Sequence, residues 1–466
     1  MSHAENVHTL SPAAGATEAI VAFVSALRWS ALPDEVRHYA RRHVLDTIGV
    51  MIAGAEGGVA SMAEEVVASI RPPGRVPVPG RARRADLLDA AFLGGTAAHG
   101  LESDDGYRQG SVHPGCVVVP TLLSLAHERA SNGATFMEAV VAGYETAIAI
   151  ARACHPDLRQ RGFHPTGAVA VLGAAVAAAK LCGLPPDKIQ HALGIAASSA
   201  GGLFAFVNGG ADIKRLHAGH AAREGLQAAL LAERGVQGPP KVIEARDGFM
   251  QAFAFDRSDK ARPIVLPPDE AFGITDCYIK PMPCCRHLQP ALEATIGLMS
   301  DERIGFQEVE RVDVETYRIA AEHAHTGWDD FAAAQLSFPY LMALALRFRA
   351  VKLSHFADDV RRDPGLAQLA AKLSVTAPPE IDKLYPRLRP ARVTITTSRG
   401  NFTRQADEAL GSRLVPLSDE GLMTKFREMA TPVLPRERVE TLLERVWAVD
   451  TAADMRPLVK LTAKAG

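Results

Sequence analysis

Aromatic residues are scarce in this chain: Phe, Tyr and Trp together make up 6% of its 466 residues. A β-sandwich or barrel built on aromatic and β-branched pairs is therefore not expected, whereas abundant Ala and Gly suit closely packed helices. Charge of one sign is lacking too, since 51 Lys and Arg stand against 53 Asp and Glu, a formal net charge of −2. Such a balance argues against nucleic acid or an anionic membrane as a partner held by bulk charge. The six cysteines, at 116, 154, 182, 277, 284 and 285, include one adjacent pair and no CxxC. A disulfide framework is not expected, which points to a reducing, cytoplasmic compartment. The opening residues MSHAENVHTL carry no basic run leading into an apolar core, so no secretory leader is expected. The most apolar stretch, 167–182, is short, Ala-rich and interrupted by Lys180. It predicts a buried helix, because a membrane span needs about 20 strongly apolar residues.

What is present is ordinary globular composition, 47% hydrophobic and 22% charged, in a length that suggests two or three domains. Pro33 and Asp34 start a helix in which Val36, Ala40, Val44, Ile48 and Ile52 recur at four-residue spacing before Gly54. Further Ala-rich helical patterns cover 85–99, 135–153, 166–181, 186–197 and 218–234. Prolines then crowd the chain and periodicity stops near Pro267, where a domain boundary is expected. Beyond it, 310–318 alternates like a strand with a phase slip at its end. Residues 392–397 and 402–405, joined by a Ser-Arg-Gly-Asn turn, predict a β-hairpin. Helical segments are expected around 335–347 and 365–373, and again over 419–429 and 436–448. The predicted fold is mainly α: a large all-helical domain over 1–266 and 409–466, plus a smaller α+β domain over 267–408.

Four polar clusters interrupt this pattern. The first, HGLESDDGYRQGSVHPG over 99–115, holds Glu102, Asp104, Asp105, Arg108 and His113, too dense for a simple connector, although a solvated loop is the bland alternative. No EF-hand spacing is present. The second, RGFHPTG over 161–167, puts His164 before an Ala-rich helix that Thr166 can cap, leaving backbone N–H groups free for a carboxylate. The third, NGGADIKRLHAGHAA over 208–222, places Lys214, Arg215, His217 and His220 at another helix start, a credible anion site. Its HxxH lacks the spacing and glutamate of a zinc motif, and no GxGxxG marks a dinucleotide. The fourth, YIKPMPCCRH over 278–287, holds Lys280, Cys284, Cys285, Arg286 and His287 on a proline-stiffened backbone. Packing is expected for at least one thiol, and Lys280 and Arg286 are the better functional candidates. Together the clusters suit a small polycarboxylate, with cations on its carboxylates and an imidazole or carboxylate taking a proton from the adjacent carbon.

In this order the four motifs resemble the MmgE/PrpD family, which includes 2-methylcitrate dehydratase, cis-aconitate decarboxylase and iminodisuccinate epimerase. The resemblance runs from HVLDTIGVMIAGA at His43 to PLSDEGLMTKF ending at Phe426. It implies a cofactor-free homodimer, metal-independent, with an active site between a large helical and a smaller α+β domain. By the decarboxylase pattern the catalytic histidines fall on His113 and His164 and the lysines on Lys214 and Lys280, with the acidic position near Glu102. Three departures stand out: Glu102 where Asp is the pattern, Gly106 where Thr is, and Cys285 where His is. The resulting expectation is proton abstraction alpha to a carboxylate in a di- or tricarboxylic acid, completed as dehydration or, alternatively, as epimerisation or decarboxylation. Lys214, Lys280 and Arg286 would anchor carboxylates, His113 and His164 would serve as base and acid, and Glu102, Asp104, Asp105, Arg108, Cys285 and His287 would contact substrate. Two rivals from other classes are a non-catalytic carboxylate-binding relative and a thiol-dependent enzyme using Cys284 or Cys285.

Overall fold

The computed structural model describes residues 15–208, 212–255 and 262–465, so the opening residues, Gly209, Gly210 and Ala211 lie outside the described residues. Two compact units make up the chain, one running to Tyr278 and resuming at Asp419, the other spanning Ile279–Ser418.

In order, the first unit holds α1 (Ala16–Ala26), α2 (Asp34–Gly54), α3 (Gly58–Ile70), α4 (Leu87–Ala98), α5 (Gly115–Arg129), α6 (Gly133–Cys154), α7 (Asp157–Gln160), α8 (Pro165–Leu181), α9 (Pro186–Ser198), α10 (Ile213–Glu233) and α11 (Phe249–Phe253). Asp34 and Glu35 in the first turn of α2 complement the helix dipole, and the predicted stripe Val36, Ala40, Val44, Ile48 and Ile52 is buried, within a helix that from Arg42 onward is buried on nearly every side. In α8 every residue but Lys180 is buried, which the run of alanines allows by letting neighbours approach closely. Helix α6 is long and apolar enough to cross a membrane, yet 83% of its most apolar window is buried inside the fold. It therefore serves as a core helix. Where α4 meets α10, a Cβ on Gly219 would stand 2.5 Å from the Phe92 carbonyl oxygen, so only glycine permits that crossing.

One departure from the all-helical expectation is a two-residue antiparallel ladder, β1 (Val76–Pro77) with β2 (Arg84–Ala85). Val76 and Ala85 pair there and bury against Phe92 and Leu93.

The second unit contains α12 (Gln289–Asp301), α13 (Arg318–Ala321), α14 (Phe331–Ala334), α15 (Phe338–Phe348), α16 (Asp358–Arg361), α17 (Pro364–Ala370) and α18 (Pro379–Asp382). They pack around a sheet of β3 (Val309–Thr316), β4 (Leu373–Thr376), β5 (Ala391–Thr397) and β6 (Gly400–Ala406), in the order β4-β3-β5-β6. The expected hairpin is β5–β6, its loop only Ser398–Arg399 because Thr397 pairs with Gly400. The phase slip in β3 lies at its start, where the register shifts between Val309 and Arg311, and not near Tyr317. Strand β4 was expected as the end of a helix. The helix stops at Ala370, and Leu373 pairs in parallel with Val312 instead. Val312, Val314, Val393 and Ile395 on one sheet face bury with Leu292 of α12 and Leu341 of α15.

The chain then returns to the first unit as α19 (Asp419–Ala430), α20 (Arg436–Trp447) and α21 (Arg456–Thr462). Both edges of the second unit lie further along the chain than the expected 267 and 408. The reason is hydrogen bonding by the proline-rich run before Tyr278. Gly273 and Ile274 donate to the buried Glu145 carboxylate of α6 at 2.9 Å each, and Tyr278 exchanges backbone hydrogen bonds with Gly106. Those partners fix the run to the helical unit.

Candidate active site

The segment between α4 and α5 is held by side chains rather than by regular backbone pairing. Asp105 is fully buried. Its Oδ1 accepts the Gly115 N–H at 3.1 Å, and its Oδ2 accepts the Tyr144 hydroxyl at 2.7 Å and lies 3.0 Å from His43 Nδ1. With both oxygens engaged by the protein, Asp105 anchors the loop. From α19, buried Lys425 donates to Asp46 Oδ1 at 2.6 Å and to the Ser103 carbonyl at 2.8 Å.

Between those anchors lies Asp104, 1% exposed. His99 Nδ1 is 2.7 Å and His113 Nδ1 3.2 Å from its Oδ2, while His113 Nδ1 is also 2.5 Å from the Asp105 carbonyl oxygen. Acceptors on that side assign the proton to Nδ1 and leave the His113 Nε2 lone pair as the basic atom. Asp104 thus orients two imidazoles. Burial pushes His99 down to about 3 against the opposing pull of Asp104, so it is neutral at ordinary pH. His99, Asp104 and His113 offer ligand atoms within 4.8 Å of one another.

His164 closes the cluster. It occupies the N-cap position of α8, ahead of Pro165, and its ring stacks 5.5 Å from that of His99. Thr166, expected to cap this helix, instead accepts the His113 N–H on Oγ1 at 3.2 Å. His164 Nδ1 meets His217 Nδ1 at 3.0 Å, so one donates and the other accepts. Burial lowers both, His164 well below its ordinary value and His217 to about 4. Lys214, in the first turn of α10, pairs with the Glu102 carboxylate. Glu102 lies at φ 50°, in the left-handed region. Arg108 lies on the turn closed by the Tyr107–Val112 bridge.

Gly106 explains one departure from the expected pattern. A Cβ there would stand 2.4 Å from the Tyr278 hydroxyl, so a threonine side chain and this phenol exclude each other. The Tyr278 ring meets His113 edge-on at 6.4 Å.

The motif from Ile279 lies in the second unit. Lys280 is 1% exposed. Arg286 donates to Gln289 Oε1 at 2.7 Å and to the Leu410 and Ala409 carbonyls at 2.6 and 2.9 Å. These bonds make it a clamp on the 409–410 backbone. Cys284 is the packing thiol, fully buried with its pKa pushed up by burial. Cys285 lies 3.9 Å from His323 Nε2, and His287 Nδ1 is 2.7 Å from the Tyr317 hydroxyl. Burial holds His287 well below its ordinary value.

Residues 18–261 match the MmgE/PrpD N-terminal domain and residues 282–449 the MmgE/PrpD C-terminal domain. The chain belongs to the MmgE/PrpD family. Similar members of it include cis-aconitate decarboxylase of Aspergillus terreus, 27% identical with 96% of each chain covered. The Mus musculus cis-aconitate decarboxylase is 28% identical over 96% of this chain and 93% of its own, and the Homo sapiens enzyme 27% over 96% and 94%. Within this MmgE/PrpD chain, sequence reasoning missed Lys425 and His323, passed over His99 and read His217 only as part of an anion site. His99 sits inside a quoted motif and could have been found there. Lys425 and His323 carry no local signal, because long-range packing alone brings them to Ser103 and Cys285.

Proposed function

We propose that this chain is a lyase acting on a small di- or tricarboxylic acid, taking a proton from the carbon beside a carboxylate and expelling water as 2-methylcitrate dehydratase does. The observation that carries this reading is the Asp104-oriented His113, whose Nδ1–H is directed to Asp104 and the Asp105 carbonyl so that Nε2 is free to accept a proton. A correctly placed base of this kind contributes roughly 10² to 10⁴ in rate. Lys214, which pairs with the Glu102 carboxylate, supplies an anchor for a substrate carboxylate. Such cations also stabilise the negative charge that develops as the proton leaves. His164, neutral beside His99 and His217, is the second proton carrier. A second reading, decarboxylation of a cis-aconitate-like acid, is supported by the end-to-end similarity to the decarboxylases.

Proton NMR in D₂O with 2-methylcitrate, citrate, cis-aconitate and iminodisuccinate tests both. Dehydration, loss of CO₂ and bare proton exchange give different products. His113→Gln is expected to reduce turnover at least about 10²-fold while its melting temperature stays close to that of the parent. A His113→Gln protein of full activity sinks the assignment.

A further inference from the structure

We propose that His164 and His217 form a two-imidazole relay, in which a single proton shared between their Nδ1 atoms lets His164 deliver the proton on its Nε2 while both rings stay neutral. The inference rests on the function proposed above and gives His217 a part in it. Both residues belong to the first unit. Their Nδ1 atoms lie 3.0 Å apart, hydrogen-bond distance, so in a neutral pair one of the two is an N–H and the other a bare nitrogen. The tautomers are thereby complementary. Where His217 donates from Nδ1, His164 carries its own proton on Nε2; where His164 donates, its Nε2 is bare. Moving the shared proton switches His164 from one form to the other.

The surroundings favour this route over a charged intermediate. His164 is 3% exposed and His217 7%. Phe204 and Phe206 meet the His164 ring edge-on at 5.7 and 5.2 Å, and Phe206 meets His217 at 6.1 Å. The Gly202 carbonyl accepts the His164 N–H at 2.8 Å, and a Cβ on Gly202 would stand 3.2 Å from the His217 ring, so one turn closes over both. His99, His113 and Asp104 face His164 from the segment between α4 and α5, and His220 faces His217 from its own helix. Burial, helped by the neighbouring imidazoles, outweighs Asp104 and makes an imidazolium costly on either ring. A proton that crosses between two like groups avoids that cost. His217 is the more accessible of the pair, and exposed His220 follows it at i,i+3 on α10, so His217 is the end that solvent reloads.

In the dehydration, His113 takes the carbon-bound proton and that electron pair forms the new double bond. The C–O bond breaks with its pair on oxygen, and the His164 Nε2 proton passes to that oxygen, which leaves as water. The shared proton crosses from His217 Nδ1 to His164 Nδ1 as a solvent proton binds His217 Nε2. Once the product has gone, water returns a proton to His164 Nε2, the shared proton crosses back, and His217 Nε2 and His113 each release one.

Nitrogen NMR of the full-length chain, isotope-labelled at histidine, gives the first test. At neutral pH one ring of the pair is expected to be protonated on Nδ1 and the other bare there, with a nitrogen–nitrogen coupling across the hydrogen bond. Turnover of His217→Asn gives the second, because the Asn amide N–H takes the place of Nδ1 and holds the His164 ring yet passes no proton. Its kcat is expected to fall about 10²-fold with KM little changed and a melting temperature close to that of the parent. His217→Asn at parental kcat overturns the relay, since holding the ring is then enough. Two rings protonated on the same nitrogen, or no coupling between them in the parent, overturn it as well, whatever the variant does. If turnover is lost in His113→Gln and survives in His217→Asn, the relay alone falls. A parent protein that shows neither turnover nor proton exchange with any of the four acids overturns the function above, and the part of His217 with it.

Discussion

At position 106 a glycine faces the phenol of Tyr278, and the two residues share one volume. Adding the threonine side chain to this backbone puts atoms within 2.4 Å of the Tyr278 oxygen. Gly106→Thr is therefore expected to lower stability by about 1–3 kcal/mol. Thermal melts of Gly106→Thr, Tyr278→Ala and the double variant measure the coupling, and in the Tyr278→Ala background the penalty should largely vanish. Equal penalties in the two backgrounds contradict the shared-volume account. The same spatial logic separates neighbours that look alike in sequence. Asp104 and Asp105 are adjacent acids, yet one orients two imidazoles and the other ties down the loop. Cys284 and Cys285 are adjacent thiols, yet only the second meets a histidine.

At the scale of elements, α19 reaches into the candidate site through one lysine. Lys425 bridges Asp46 of α2 and the carbonyl of Ser103, just before Asp104. Lys425→Met leaves the Asp46 carboxylate buried without its cation, and a loss of about 3–5 kcal/mol at pH 7 is expected in urea unfolding. Burial already raises Asp46, so in this variant it takes up a proton as pH falls, and the deficit should shrink by pH 5. A deficit independent of pH would rule out the stranded carboxylate as its cause. The helices themselves were legible in the sequence because periodic apolar faces report burial directly, as in α2. Strand β4 was not: its four residues are half-buried or exposed, and only pairing with Val312–Glu315 makes them a strand. Much of the candidate site was legible as motifs, His113, His164 and Lys214 among them. Its wiring was not, since the partners of Asp105 include a histidine and a tyrosine from α2 and α6.

At the scale of the whole molecule, near-neutral charge coexists with a concentration of buried histidines. His99, His164 and His217 are all held below their ordinary pKa by burial. Below about pH 6.5 the unfolded chain protonates these imidazoles while the folded chain does not, so the unfolded state binds more protons and stability falls with pH. Each contributes up to about 1.4 kcal/mol per pH unit until its folded value is reached. Buried Glu145, raised to about 7, and Glu293, raised to about 6, act with the opposite sign, keeping a proton in the folded state that the unfolded chain has released. Comparing His217→Asn with the parent isolates one histidine: between pH 6.5 and 4.5 the variant should lose less stability, by about 1 kcal/mol per unit. Parallel urea midpoints for the two proteins across that range would show that His217 is not held neutral by the fold.

The insertion of the second unit between Tyr278 and Asp419 also sets an order of events during synthesis. Asp46 is made early, and the lysine that neutralises it is made some hundreds of residues later, after the entire α+β unit has emerged. Until then the helical unit holds an acid in its interior with no cation beside it, and the loop bearing Asp104 lacks one of its two anchors. A ribosome stalled before Asp419 thus carries an unfinished helical unit, and the candidate site takes its shape only when the last helices arrive.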